Sequence, residues 1–179
     1  MTLVGENYYL EEMKETHIED NYLSWLNDKE INKYLEIRFY SQNRETALKY
    51  INSFENSKEK KLWGIFSRLT NKLVGTVNLT KINFYHKTCM VNIMIGDKNH
   101  WGKTAAFEGL RLAIKFSSED LSMRKVLAST YAENTSINFT LKQLGFSLEG
   151  KLVKNRKLDK NIYTDEFKWG LFVDNCTII

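Results

Sequence analysis

The sequence predicts a mixed α/β domain of the α+β kind, with one mostly antiparallel central sheet and helices packed against it. Two observations carry this. Short β-branched and aromatic runs follow one another through the middle of the chain, and segments with apolar residues at helical spacing flank them. A third observation sets the size: 179 residues with 42% hydrophobic content suffice for one buried core and are too few for two. Proline is absent and no Gly/Ser-rich segment interrupts the chain, so a single domain over residues 1–179 is expected.

The elements follow in order. "ENYYLEEM" alternates weakly and predicts an opening strand. "HIEDNYLSWLNDKEINKYL" places Ile18, Tyr22, Trp25 and Leu26 at helical spacing, then Ile31, Tyr34 and Leu35. "LND" at Leu26 to Asp28 divides it into two short helices, because Asn and Asp favour caps and turns. "RETALKYINSF" predicts a further helix, with Ala47, Tyr50, Ile51 and Phe54 on one side. The period then changes, and "KLWGIFSRL", "KLVGTVNLTKI" and "TCMVNIMIG" predict consecutive antiparallel strands. In "NHWGKTAAFEGLRLAIKF", Ala106, Phe107, Leu110, Ala113 and Ile114 form an apolar face, and Glu108, Arg111 and Lys115 are expected to point away. "KVLASTYA" is a strand, and "TSINFTLKQLGF" a helix ended at Gly145, where a left-handed residue costs glycine least. "FSLEGKLV" and "YTDEFKWGLFV" complete the sheet.

Several function classes are disfavoured. The first residues lack the basic region and long apolar core of a signal peptide, and no window approaches the roughly 20 apolar residues of a membrane span. Only Cys89 and Cys176 are present, without CxxC or His at ligand spacing, so no disulfide framework or metal site is expected and a cytoplasmic setting is. Net charge is +4, which favours an anionic small-molecule partner and also fits an ordinary basic surface. The basic segment "KLVKNRKLDK", Lys151 to Lys160, reads as a hairpin edge with outward lysines rather than a nucleic-acid site.

The most informative stretch is the join at Trp101, Gly102 and Lys103, where a strand hands over to a helix. The first turn of any helix has N–H groups without internal partners and carries partial positive charge, so an anion set there accepts several of them at once. Gly102 lets the backbone come close and Lys103 adds charge; the competing reading is a tight lead into the helix.

"MVNIMIGDKNHWGKTAAFEGL…KVLASTYAENTSINFTLKQLGF" resembles the acetyl-coenzyme A binding half of the GNAT superfamily of N-acetyltransferases. The branch it is most similar to includes ribosomal-protein, spermidine and nucleotide-sugar acetyltransferases. The strand–glycine loop–helix unit, Asn134 just after the next strand, and "LKQLGF" carry the resemblance in that order, and "YLSWLNDKEINKYLEIRF" resembles the branch's substrate-side helices. The resemblance implies that the fourth and fifth sheet strands splay around the coenzyme. Main chain near Met94, Ile95 and Gly96 would bond the pantetheine arm, and the loop Trp101, Gly102, Lys103, Thr104, Ala105, Ala106 would hold the pyrophosphate. Asn134 would contact the coenzyme, its alternative being a cap ahead of Thr135.

The chain departs from the family's pattern at several positions. Thr104 stands where glycine or alanine is usual, so ordinary angles are expected there, with its hydroxyl free to bond a phosphate oxygen. Ile137 stands where many members have serine. "MVN" at Met90 to Asn92 supplies no acidic base, and Leu141 stands where many have a tyrosine acid. Base candidates are therefore Glu36 in "LEIRF", His86 and Asp165, each with a plainer reading as ion-pair partner or turn residue. Glu36 ranks first, since its segment lines the acceptor pocket in relatives. Arg38 is expected to pair with a carboxylate or phosphate of the acceptor, against the plainer reading of a surface salt bridge.

The implied chemistry is direct acetyl transfer to a primary amine, with a small-molecule acceptor such as a nucleotide-linked amino sugar. A protein N-terminus or a polyamine is the runner-up, and a non-catalytic coenzyme-binding module the rival. The amine must lose a proton first. With a pKa of roughly 10 that costs about 4 kcal/mol at pH 7. A monomer or homodimer is expected.

Overall fold

A computed structural model describes residues 2–173, which leaves Cys176 outside the described residues. Strands run Thr2–Val4 (β1), Tyr8–Glu12 (β2), Lys61–Ser67 (β3), Leu73–Asn83 (β4), Thr88–Ile95 (β5), Lys125–Tyr131 (β6), Ser147–Asp159 (β7) and Ile162–Phe172 (β8). Helices run Asp20–Asn27 (α1), Arg44–Asn52 (α2), Ala105–Glu119 (α3) and Thr135–Gln143 (α4). The strands form one sheet in the order β1-β2-β3-β4-β5-β6-β8-β7. Neighbours are antiparallel except β5 and β6, which are parallel and need a crossover; α3 supplies it.

The two sheet faces bury two clusters. On one, Trp63, Ile65, Val77 and Val91 pack with Leu110, Ala113 and Ile114 of α3 and Leu141 of α4. On the other, Leu62 and Met94 meet Tyr22, Trp25 and Leu26 of α1 and Ala47 and Ile51 of α2. Successive strand residues point to opposite faces, so Leu62 and Trp63 belong to different clusters.

The structure departs from the sequence reading at four places. An extra strand, β1, precedes the opening one; at three residues it is too short for a period to show. The second short helix expected over Ile31 to Leu35 is absent. Asp28 Oδ1 accepts the Glu30 and Ile31 N–H groups as at a helix start and the Asn32 N–H donates to the Asp28 carbonyl, but the chain goes no further than this turn before a 3-10 turn at Glu36–Phe39. β7 does not stop near Val153 but runs on to Asp159, so the basic segment is the exposed hairpin edge expected of it and part of the strand itself. Glu108 does not point away: it is 4% exposed. The expected end at Gly145 is present, with φ +87° and the Phe146 N–H donating to the Leu141 carbonyl.

One feature of the sheet creates a site. β5 and β6 pair only at Thr88↔Lys125, Cys89↔Val126 and Met90↔Leu127. Beyond these, β5 keeps its partner β4 as far as Gly75↔Ile95, while β6 keeps β8 as far as Tyr131↔Glu166. Each strand stays with its outer neighbour and the sheet opens between them.

Candidate active site

The opening holds a cavity of about 260 Å³, lined by Val91, Asn92 and Ile93 from β5, Ser129, Thr130 and Tyr131 from β6, and Asn134 and Leu141 from α4. Strand edges facing it carry N–H and C=O groups without a sheet partner on that side. Met94, Ile95 and Gly96, expected along this edge, lie just past it. Met94 turns into the second cluster, the Ile95 carbonyl accepts the Trp101 indole N–H at 2.9 Å, and the Gly96 N–H donates to the Val74 carbonyl at 2.9 Å. A side chain at Gly96 would run into the Trp25 ring, so this glycine serves close packing.

The loop ahead of α3 is built differently. Gly102 has φ +68° and open space around it, and no side chain caps the helix. Trp101, Gly102, Lys103 and Thr104 are exposed, Ala105 is buried and Ala106 half-buried. Thr104 keeps an ordinary φ of −75°, as a β-branched residue should, and its hydroxyl donates to Glu108 Oε1 at 2.8 Å rather than standing free for a phosphate. Glu108 also accepts the Asn7 and Tyr8 main-chain N–H groups and the Asn7 amide. Burial alone would raise its pKa; the bonds from Asn7, Thr104 and Tyr8 outweigh that and hold it below the ordinary range. Tyr8 adds a second tie, its hydroxyl 2.7 Å from His100 Nδ1. The loop is thus pinned from the start of β2; the Trp101 N–H donates to the Lys98 carbonyl, and the Thr104 side chain makes no cap bond to the first turn of α3.

Glu36 stands across the cleft from this loop's strand. Its Oε1 accepts the Tyr131 hydroxyl at 3.1 Å and Arg156 at 2.5 Å. Arg156 reaches on to Glu166 at 2.6 Å, and Glu166, 1% exposed, also holds Lys168 and Asn155. Burial by itself would raise the Glu166 pKa, but those three partners bring it down to about 2. Burial first, and Glu36 beside it second, raise the Tyr131 hydroxyl above its ordinary value, so it stays protonated at neutral pH. Sequence reasoning missed Tyr131, because "STY" reads as the end of a buried strand; the signal was its place directly before the Asn134 turn.

Other expected residues fall as follows. Arg38 spends its terminal nitrogens on the carbonyls of Lys33 and Lys157 and lies over the Phe39 and Tyr131 rings, tying the substrate-side segment to β7; it lines neither cavity described here. His86 is an exposed turn residue whose N–H donates to Asn83. Asp165 pairs with Lys151 at 2.7 Å and accepts the Lys154 N–H, which lowers its pKa. Asn134 caps α4 through the Ile137 N–H and also lines the cleft.

A second cavity, of about 490 Å³, opens on the α1–α2 side of the sheet. Its walls are largely apolar, and its floor carries Thr76, Asn78 and Thr80 from β4 with Asn92 of β5 opposite Asn78. Leu35, Glu36, Asn92 and Ile93 line both cavities, so the two meet at β5 with Glu36 at the junction.

The family model described as "Acetyltransferase (GNAT) domain" matches residues 8–147. The chain belongs to the GNAT acetyltransferase family. The uncharacterised N-acetyltransferase p20 of Bacillus licheniformis is 26% identical over 171 residues, covering 91% of this chain and 94% of that one. A spermidine N-acetyltransferase from Vibrio cholerae, solved with CoA and spermine, superposes with TM-score 0.82 at 19% identity, covering 94% and 96%. The RimL ribosomal-protein α-N-acetyltransferase in complex with coenzyme A gives TM-score 0.84 at 17% identity, covering 97% and 99%. At those identities the structures share the fold.

This GNAT domain is an acetyl-CoA-dependent N-acetyltransferase, and its residues fit that cosubstrate. The unpaired edges of β5 and β6 offer main-chain partners to an amide-bearing arm, and the uncapped start of α3 offers N–H donors to a diphosphate. Among the described residues no group of His, Cys, Asp or Glu could hold a metal ion, and no helix is long and apolar enough to cross a membrane.

Proposed function

We propose that this GNAT enzyme acetylates the primary amine of a small molecule with a hydroxyl-bearing body, an amino sugar or its nucleotide-linked form. The observation that carries the reading is the meeting of the two cavities at Glu36 and Asn92. One is a strand-edged slot suited to the coenzyme arm; the other has the apolar walls and amide-and-hydroxyl floor that a sugar ring uses. A polyamine would ask for several carboxylates, and among the described residues Glu36 is the only one lining the second cavity.

Acetyl-coenzyme A supplies the acetyl thioester. Glu36 draws the acceptor's amine to the junction by charge and passes its proton to water. Tyr131 Oη holds a proton on the coenzyme side of Glu36, and Arg156 fixes the carboxylate's direction. Positioning of this kind supplies up to roughly 7–11 kcal/mol in well-oriented systems, more than the cost of freeing the amine. Main-chain donors at Gly102 to Ala106 would anchor the coenzyme's diphosphate, and Val91 to Ile93 would flank its arm. A reducing cytoplasm suits Cys89, a buried free thiol whose pKa burial pushes up to about 11.

The test is free-thiol release from acetyl-CoA against amino sugars, polyamines and peptides with free N-termini. Amino sugars turning over best is the expected result; a polyamine or peptide exceeding them by about tenfold in kcat/KM contradicts it.

A further inference from the structure

Among the described residues Lys60 is the one cation lining the acceptor cavity, and its partners leave its charge unmatched. The ammonium donates to Ser53 Oγ at 3.0 Å and lies 4.9 Å from the centre of the Phe54 ring; among the described residues it pairs with no carboxylate. Ser53 Oγ itself donates to the Tyr50 carbonyl, so it accepts from Lys60 as a fixed neutral partner. The side chain is half-buried along the Phe54 face, which holds it at the cavity rather than in open solvent.

Its place in the sheet matters as much as its charge. Lys60 directly precedes β3, where Lys61 pairs with Leu79, while Glu36 stands at the β5 junction. Neighbouring strands lie about 4.8 Å apart, so two strands put roughly 10 Å of floor between the start of β3 and β5. That floor is neutral and already ordered. Asn92 Nδ2 donates to Asn78 Oδ1 at 2.9 Å and to Thr80 Oγ1 at 3.3 Å, and Asn78 Nδ2 donates to the Tyr50 hydroxyl at 3.1 Å. The Tyr50 and Thr80 oxygens accept in this chain, which leaves their O–H groups as donors for a ligand. The cavity therefore carries negative charge where the coenzyme slot joins it, positive charge across the sheet, and neutral hydrogen-bonding groups between.

We propose that Lys60 is an anion-binding subsite, and that the preferred acceptor carries its amine at one end and a phosphate or carboxylate at the other. The inference rests on the amino-sugar reading above and narrows it to the anionic members of that class. An ion placed there gains a charge-assisted bond from the Lys60 ammonium with Ser53 supporting it. A hydrogen bond to a charged group contributes enough to give about tenfold or more in affinity.

The experiment compares glucosamine, glucosamine 6-phosphate and the corresponding 6-carboxylate as acceptors for the wild-type enzyme and for Lys60→Met and Lys60→Arg. Methionine keeps an apolar stem against Phe54 and removes the charge; arginine keeps the charge. The expected result is a kcat/KM about tenfold or more higher for an anionic acceptor than for glucosamine, a ratio that falls to near one in Lys60→Met and persists in Lys60→Arg. The phosphate and carboxylate arms tell which anion the subsite takes. Equal kcat/KM for all three acceptors in the wild type overturns the subsite while leaving the amino-sugar reading in place, and so does an unchanged ratio in Lys60→Met. Should no amino sugar be acetylated, that reading fails, and calorimetric binding of the same three compounds to the CoA-saturated protein decides the subsite separately. Tighter binding of an anionic compound, lost in Lys60→Met, supports it; equal or undetectable binding overturns it.

Discussion

Glu36 gains its interest from its neighbours. On its own it is an exposed carboxylate in a 3-10 turn; with Tyr131 and Arg156 on one oxygen it becomes an oriented group between two cavities. Glu36→Gln should lower kcat/KM for the amine by roughly 10² and leave the Kd for CoA unchanged, as steady-state kinetics and calorimetry would show. Tyr131→Phe keeps the buried ring and should lower kcat by a constant factor from pH 6 to 9, because a hydroxyl with a raised pKa does not titrate there. Glu166 makes a separate, structural prediction. Its folded pKa of about 2 lies below the ordinary 4.5, so the unfolded chain binds the proton first as pH falls. The stability it contributes is complete above pH 4.5 and is lost as pH falls towards 2. Glu166→Gln leaves Arg156 and Lys168 without their buried partner and should cost about 3 kcal/mol at pH 7. Melting curves should show the variant and the wild type converging across that acid window; a constant gap would contradict the linkage.

At the scale of elements, the join of β5 to α3 was readable because its parts are local. Gly102 needs its positive φ, and the sequence singles it out as the glycine before an apolar-periodic run. Gly102→Val places a β-branched residue in that conformation in otherwise open space. Strain there is about 1–2 kcal/mol, so CoA affinity should fall roughly tenfold while the coenzyme-free fold persists. Glu108 was misread because helical periodicity assigns charged residues to the outer face, and nothing local reveals that Asn7 and Tyr8 bring two N–H groups to it across a hundred residues. Glu108→Ala would orphan those donors and release Thr104; a loss of about 3 kcal/mol in chemical denaturation is expected, with weaker CoA binding besides. The same nonlocality hid Tyr131, and it turned Arg38 from an acceptor-facing candidate into a clamp on main-chain carbonyls.

Across the whole molecule, the strand order and the opening between β5 and β6 decide what the protein can do. Composition and period pointed to one mixed sheet with helices on it, and the family resemblance added the splay. Periodicity does not report which strands stay paired, so the opening was visible only as a resemblance until Met90↔Leu127 proved to be the last pair. The second cavity lay beyond reach for a related reason: Tyr50, Lys60, Asn78 and Asn92 come from four separate segments that only the sheet brings together. Amide hydrogen exchange, followed with and without CoA, tests the central claim most directly. CoA should slow exchange at residues 101–107 and along 91–93 and 128–131, with little change on β7. Unchanged exchange at those segments, with protection appearing elsewhere, would contradict it.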